Sequence, residues 1–150
     1  SGDNLASNVG WHQDRYYWSD WEEGSELFTA WVALTDVTAD AGPMVFLQGS
    51  HKWGFLNQGD FFGQNLDELK AGINLPDGAA WDEVAGTLPA GGISFHQSLT
   101  FHGSSANVSG VPRRSFAIHM RTNRSRPVDD RRSGLATYID NPEICPVFHR

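Results

Sequence analysis

An all-β fold of the jelly-roll kind, with one or two short helices, is the class this sequence predicts, on three observations. Apolar and polar residues alternate with a period of two through Leu27–Val37 and again through Arg113–Arg121. Turn-forming clusters break the chain at short intervals, as at Ala41-Gly42-Pro43, Pro89 to Gly92 and Asn107 to Pro112. Helical character is confined to one stretch near Asn65. Many short strands, Gly/Pro turns and little helix make a sandwich or barrel whose interior can hold a small polar site at one end. With 150 residues the chain suits a single domain, 1–150, with its core at about 9–122.

The elements follow in order. Residues 1–8 are polar and irregular, and a strand begins at Val9 and carries His12 and Asp14. In Leu27–Val37 the residues Phe28, Ala30, Val32 and Leu34 share one face, and Thr29, Trp31, Ala33 and Thr35 the other. Met44–Leu47 is a short apolar strand. The turn Asp40 to Pro43 suggests that it pairs antiparallel with the preceding strand. Asn65 to Gly72 reads as one short helix, with Asn65 as its cap, Glu68 at the capping-box position and Gly72 at its end. The surrounding segment, 52–87, is expected to lie over the mouth of the domain. Two more strands run through Ile93–His96 and Leu99–Ser104. The last, Arg113–Arg121, alternates a polar set (Arg113, Ser115, Ala117, His119, Arg121) with an apolar one (Arg114, Phe116, Ile118, Met120).

Composition excludes several classes. Hydrophobic residues are 39% and charged residues 19%, a globular balance rather than a disordered one. No apolar run reaches membrane-spanning length. Cys145 is the only cysteine, so no internal disulfide forms, and a reduced cytoplasmic setting is expected. The net charge of −7 is uneven. Residues 1–112 carry 14 acidic and 3 basic side chains, whereas 113–132 carry seven arginines against two aspartates. Pro127, Asp129 and Asp130 break up that basic stretch, which therefore reads as a solvated, locally paired loop rather than a nucleic-acid surface.

The chemistry-bearing pattern is His12-Gln13-Asp14. In extended backbone, residues two apart project to one side, so an imidazole and a carboxylate aim at one point. Such a pair supplies two of the three ligands of the 2-His-1-carboxylate triad that binds non-haem Fe(II). His51, His96, His102 and His119 are the candidates for the third. His102 is favoured: Gly103 lets backbone approach closely, Ser104 places a hydroxyl two residues on, and Arg113 follows eleven residues later, where a hairpin would bring it back beside the histidine. An arginine there can hold a carboxylate in bidentate fashion. His51 reads as structural, His96 as a group able to orient a ligand, and His119 as a residue able to reach the pocket. Tyr16, Tyr17, Trp18 and Trp21 follow the pair. They could line a substrate pocket, although packing is the better reading of each one singly.

Taken together, His12-Gln13-Asp14, Trp31 to Thr38, Gly42-Pro43-Met44, Gly49 to Lys52, and His102-Gly103-Ser104 through Asn107 to Arg113 resemble the phytanoyl-CoA dioxygenase family over most of residues 9–122. The resemblance implies a double-stranded β-helix of cupin-like type and an Fe(II)- and 2-oxoglutarate-dependent oxygenase that uses O2. It implies His12, Asp14 and His102 as catalytic iron ligands, Arg113 and Ser104 as partners of the distal carboxylate of 2-oxoglutarate, and Trp31 in the cosubstrate pocket. The implied reaction hydroxylates an unactivated C–H bond of a small organic substrate and releases succinate and CO2. Halogenases of the family replace the carboxylate ligand with a small residue, so Asp14 favours hydroxylation. The alternative is a non-catalytic metal- or ligand-binding jelly roll, cupin-like or lectin-like.

Two departures from the family pattern are visible. The chain starts a few residues before the His-x-Asp strand, where family members have earlier helices and strands. It therefore reads as a partial domain whose activity in isolation is an open question and whose exposed sheet edges favour a homo-oligomer. Gly92 stands where an Asp is common before the next strand. The expected partner is a small molecule, with no nucleic acid and no membrane.

Overall fold

The computed structural model describes residues 8–128 and 134–148. Seven strands form two antiparallel sheets: β1 (Val9–His12), β2 (Leu27–Ala33), β3 (Met44–Leu47), β4 (Glu83–Ala85), β5 (Ile93–Gln97), β6 (His102–Ser104) and β7 (Ser115–Arg121). One helix, α1 (Leu66–Gly72), and three short 3-10 turns complete the described residues. The four-stranded sheet has the order β1-β6-β3-β4 and the three-stranded sheet β5-β2-β7.

This order corrects two expectations. The turn at Asp40–Pro43 does not close a hairpin, because β2 and β3 lie in different sheets. Nor do β6 and β7 form one; that connection also crosses between sheets. Turn residues specify that the chain reverses, while the sheet it rejoins is set by which faces must be buried together. Crossing between sheets is what a jelly roll does, and it brings residues remote in sequence to one interior.

The alternation in β2 acts as read. Leu27, Thr29, Trp31 and Ala33 are all buried. On the opposite face Phe95, Phe116, Ile118 and Ile93 remain exposed beside Ala30 and Val32 of the central strand. Trp31, Ala33 and Val37 pack with Met44 and Leu88, joining residues from both sheets. A second cluster, Trp11, Leu47, Ile73 and Phe101, is built on the other face of the four-stranded sheet. Leu47 and Phe101 are fully buried there, a contribution of about 1.5–3 kcal/mol each.

Helix α1 is capped as expected, the Asn65 side chain accepting from the Glu68 N–H at 3.2 Å. Its position differs from expectation. Leu66, Leu69 and Ile73 pack on the Trp11 cluster, so α1 backs the four-stranded sheet instead of covering the mouth. The segment just before it behaves differently. Asp60 N–H donates to the Trp11 carbonyl and Gly10 N–H to that of Phe61, both at 2.9 Å, so residues 60–61 lie along the edge of β1. A side chain at Gly10 would meet the Asp60 carbonyl 2.0 Å away, which is why glycine stands there.

Where it is described, the basic stretch pairs with acidic side chains from elsewhere in the chain. Arg124 meets Glu26 at 3.0 Å, and Arg121 lies over Trp21 and 3.5 Å from Asp140. Arg131, Arg132, Asp129 and Asp130 lie outside the described residues.

Candidate metal centre

Two rows of side chains, one on each sheet, face each other across the site. On the four-stranded sheet His12 pairs with His102, which pairs with Phe46. On the three-stranded sheet His96, Thr29 and His119 form one cross-strand row. Asp14 sits between the rows. It is not on β1, which ends at His12, but opens the 3-10 turn Asp14–Tyr16. Gln13 between them is extended, at φ −112° and ψ 130°. The two-residue geometry therefore survives, and both side chains point to one side.

One donor atom from each of His12, Asp14 and His102 lies within 4.8 Å of the others. The Nδ1 atoms of the two histidines donate to backbone carbonyls, His12 to Gly10 at 2.8 Å and His102 to Thr100 at 2.9 Å. These bonds fix the tautomer that leaves each Nε2 lone pair free. The Nε2 atoms lie 3.4 and 3.6 Å from Asp14 Oδ1. Both rings are buried.

The other carboxylate oxygen is held separately. Oδ2 accepts from the Thr29 hydroxyl at 3.2 Å and lies 3.4 Å from His96 Nε2. Thr29 accepts in turn from His119 Nδ1 at 3.1 Å. Asp14 thus presents Oδ1 to the two histidines and Oδ2 to the opposite sheet. Among the described residues His96 Nδ1 has no hydrogen-bond partner.

The electrostatics follow from this packing. Burial alone would raise the Asp14 carboxyl, but the imidazoles of His12, His96 and His102 packed around it outweigh that and hold the group well below the usual carboxylate range. Burial, then the neighbouring His12, pushes His102 down to about 3. At neutral pH the pair is a carboxylate and a neutral imidazole, the protonation states a metal needs. Burial of part of the ring lowers His119 too, against the opposing pull of Asp14.

The second group of predicted residues lies one row further along each sheet, about 7 Å on. Ser104 follows His102 by two residues on β6 and pairs with Met44. Trp31 follows Thr29 by two on β2. The Arg113 guanidinium lies 5.6 Å from the Trp31 ring centre and donates to the Gly42 carbonyl. Arg113 is half-buried, which lowers its pKa, whereas Arg114 is exposed and engages the neighbouring strand through its backbone, its N–H donating to Thr35 and its carbonyl accepting from Leu34 N–H. Both precede β7. His51 is exposed in the 3-10 turn Ser50–Trp53, outside the cluster.

Gln13, Thr29 and Phe46 are the residues that sequence reading passed over. Gln13 is fully buried; its side-chain amide donates to the Gly54 and Leu99 carbonyls at 2.9 and 2.7 Å and accepts from the Leu56 N–H at 2.9 Å. It ties the His12–Asp14 segment to the loop before α1 and to the approach to His102. Replacing it with leucine leaves three half-buried backbone groups without their partner, at about 1 kcal/mol each, the low end for such groups. Gln13→Leu should cost about 3 kcal/mol or more, read as a lower urea midpoint at unchanged slope; an unshifted midpoint would refute this role.

A two-sheet β-fold that gathers His, carboxylate and His side chains between its sheets is a cupin-like jelly roll. The chain belongs to the phytanoyl-CoA dioxygenase family, whose model (Phytanoyl-CoA dioxygenase, PhyH) matches residues 3–115. No curated protein matches the chain. Among solved structures it is similar to the non-haem monooxygenase ThoJ, at 30% identity and TM-score 0.62 over 81% of this chain and 43% of that one. It is also similar to the non-haem α-ketoglutarate-dependent epimerase SnoN of nogalamycin biosynthesis, at 30% identity and TM-score 0.55 over 77% of this chain and 39% of that one. EvdO2 from Micromonospora carbonacea var. aurantiaca, solved with 2-oxoglutarate, matches at 25% identity and TM-score 0.59 over 83% of this chain and 49% of that one. The chain thus spans less than half the length of each of these structures. No helix among the described residues is long and apolar enough to cross a membrane.

Proposed function

We propose that this chain forms the iron- and cosubstrate-binding core of an Fe(II)- and 2-oxoglutarate-dependent oxygenase acting on a small organic substrate. The observation that carries it is the convergence of two imidazole Nε2 atoms and one carboxylate oxygen within 4.8 Å. Three acceptors brought together with their outer atoms tied to backbone fit a divalent cation, and this donor set suits Fe(II). His12, Asp14 and His102 would hold the ion. When bound, iron with 2-oxoglutarate and O2 supplies the oxidative chemistry, which ends in succinate, CO2 and an oxidised substrate.

The protein's own part is positional. Thr29 and His96 engage Asp14 Oδ2, so the carboxylate offers one oxygen to the ion. Arg113 and Ser104 would bind the distal carboxylate of 2-oxoglutarate, with Trp31 beneath the arginine. Their place one row beyond the histidines suits a cosubstrate that must touch the ion with one end and an arginine with the other. Hydroxylation of an unactivated C–H bond is the favoured outcome, because Asp14 fills the position that a halide would need. ThoJ, a monooxygenase, and SnoN, an epimerase, show what related centres do.

The deciding experiment is 2-oxoglutarate turnover by the full-length protein with Fe(II) and O2 against a metabolite panel. Succinate formation that requires Fe(II), with an oxygenated product, is expected. Chloride-dependent halogenated product would overturn hydroxylation. Absence of 2-oxoglutarate binding would favour a ligand-binding jelly roll, which needs no cosubstrate arginine.

A further inference from the structure

Five aromatic side chains from three segments make an unbroken run of ring contacts that begins on a candidate metal ligand. His12 meets Phe61 edge-on at 4.9 Å and Tyr17 at 6.1 Å. Tyr17 meets Tyr16 at 4.9 Å, Phe61 at 6.0 Å and Phe62 at 6.5 Å. Phe61 and Phe62 are 5.0 Å apart, and Tyr16 reaches Phe55 at 6.5 Å. Core aromatics would be buried, yet these range from 38% exposed at Phe61 to 73% at Phe62. A contiguous exposed apolar patch marks a binding surface, whereas scattered exposed rings do not.

The patch is pre-organised. Phe61 N–H donates to the Tyr17 hydroxyl oxygen at 2.9 Å, and Phe62 N–H to Asp60 Oδ1 at 2.9 Å. The backbone bonds from Asp60 to Trp11 and from Gly10 to Phe61 hold the loop on β1. Gln13 fixes the segment that carries Phe55 through Gly54 and Leu56. Rigid aromatic walls of this kind recognise flat apolar ligands at small entropic cost.

Its polar content is sparse and specific. Arg15, the cation of the adjoining turn, is directed away and donates to the Trp18 and Trp21 carbonyls. Asp60 already serves Phe62. Because the Tyr17 oxygen accepts from Phe61, its own proton is available to a ligand oxygen.

We propose that Tyr16, Tyr17, Phe55, Phe61 and Phe62 form the subsite for a neutral, planar aromatic or fused-ring part of the substrate, with the Tyr17 hydroxyl donating to an oxygen on that ring. This rests on reading the adjoining cluster as the metal centre, since that contact puts the ring beside the reacting position. Neutrality follows from the five rings, none of which carries a charge, and planarity from the edge-and-face surface that they present.

The test uses 2-naphthol as probe, with 1-decanol and naphthalene-2-sulfonate as aliphatic and anionic controls, and Mn(II) as a paramagnetic metal. Naphthol should bind at least tenfold tighter than either control. Phe62→Ala, at a side chain too exposed to matter for folding, should weaken it at least fivefold, and Phe61→Leu more. Tyr17→Phe should weaken it about threefold, and Mn(II) binding should be unchanged in all three variants. Bound Mn(II) should broaden the naphthol proton resonances. Equal binding of decanol, or of the Phe62→Ala variant, overturns the proposal, as does naphthol bound without broadening in a Mn(II)-loaded protein. So does a dimer that Phe62→Ala dissociates, which would make the face a contact between copies. If the wild type takes up no Mn(II), the metal reading fails instead, while the dependence on Phe61 and Phe62 still decides the ring subsite.

Discussion

His12→Ala and His102→Ala should each abolish Fe(II) binding, while His51→Ala leaves it intact. The two imidazoles are the only histidines whose Nε2 atoms lie close to Asp14 Oδ1 among the described residues, at 3.4 and 3.6 Å. Each is held by a carbonyl on its far side, so neither ring can turn away to be replaced by a neighbour. Removing an outer partner of a metal ligand lowers affinity by about 10–100-fold, and losing a ligand from a set of three should exceed that. His51 is exposed in a turn and has nothing to lose. Anaerobic Fe(II) titration followed by metal analysis separates the three variants. Unchanged iron in His102→Ala would shift the third ligand to His96, whose Nε2 already lies 3.4 Å from Oδ2.

What the sequence disclosed about this centre was what short-range geometry decides. His12 and Asp14 could be paired because one extended residue, Gln13, separates them, and that held although Asp14 lies beyond the strand. The Asn65 cap was legible because donor and acceptor are three residues apart. The parity of residues 113–121 sorted His119 to the inner side, and that of Leu27–Leu34 put Thr29 and Trp31 on one face without saying which face is inner. What stayed hidden was the assembly of those faces. Nothing local in Thr29 says that it joins His96 and His119 in one row, which depends on two strand registers set by the whole sheet. Gln13 looked like a spacer, yet its three bonds reach 41 to 86 residues away. The assignment of β2 and β3 to one hairpin failed for the same reason: the turn between them carries no information about which sheet receives β3.

Arg113→Ala should weaken 2-oxoglutarate binding at least about 30-fold with Fe(II) retained, and Arg114→Ala should change it little. Neighbouring residues in extended backbone face opposite ways, and the structure separates these two accordingly. The Arg113 side chain is half-buried against Trp31 and anchored to the Gly42 carbonyl, at the end of the inner face that also bears Thr29. Arg114 is exposed and contributes a backbone N–H to Thr35. A guanidinium held over an indole keeps its planar fork oriented, and lysine would not reproduce that. Losing a buried, charge-assisted pair to a carboxylate costs about 2–5 kcal/mol, much of it from the partner left unpaired. The lower bound corresponds to roughly 30-fold in affinity. Ser104, on the facing sheet, should matter less, because a hydroxyl contributes one hydrogen bond where the arginine contributes charge and two. Anaerobic calorimetric titration of both arginine variants with Fe(II) present decides the matter. The reverse ranking would place the outer face of β7 toward the cosubstrate, and the inner row of Thr29 and His119 would fall with it.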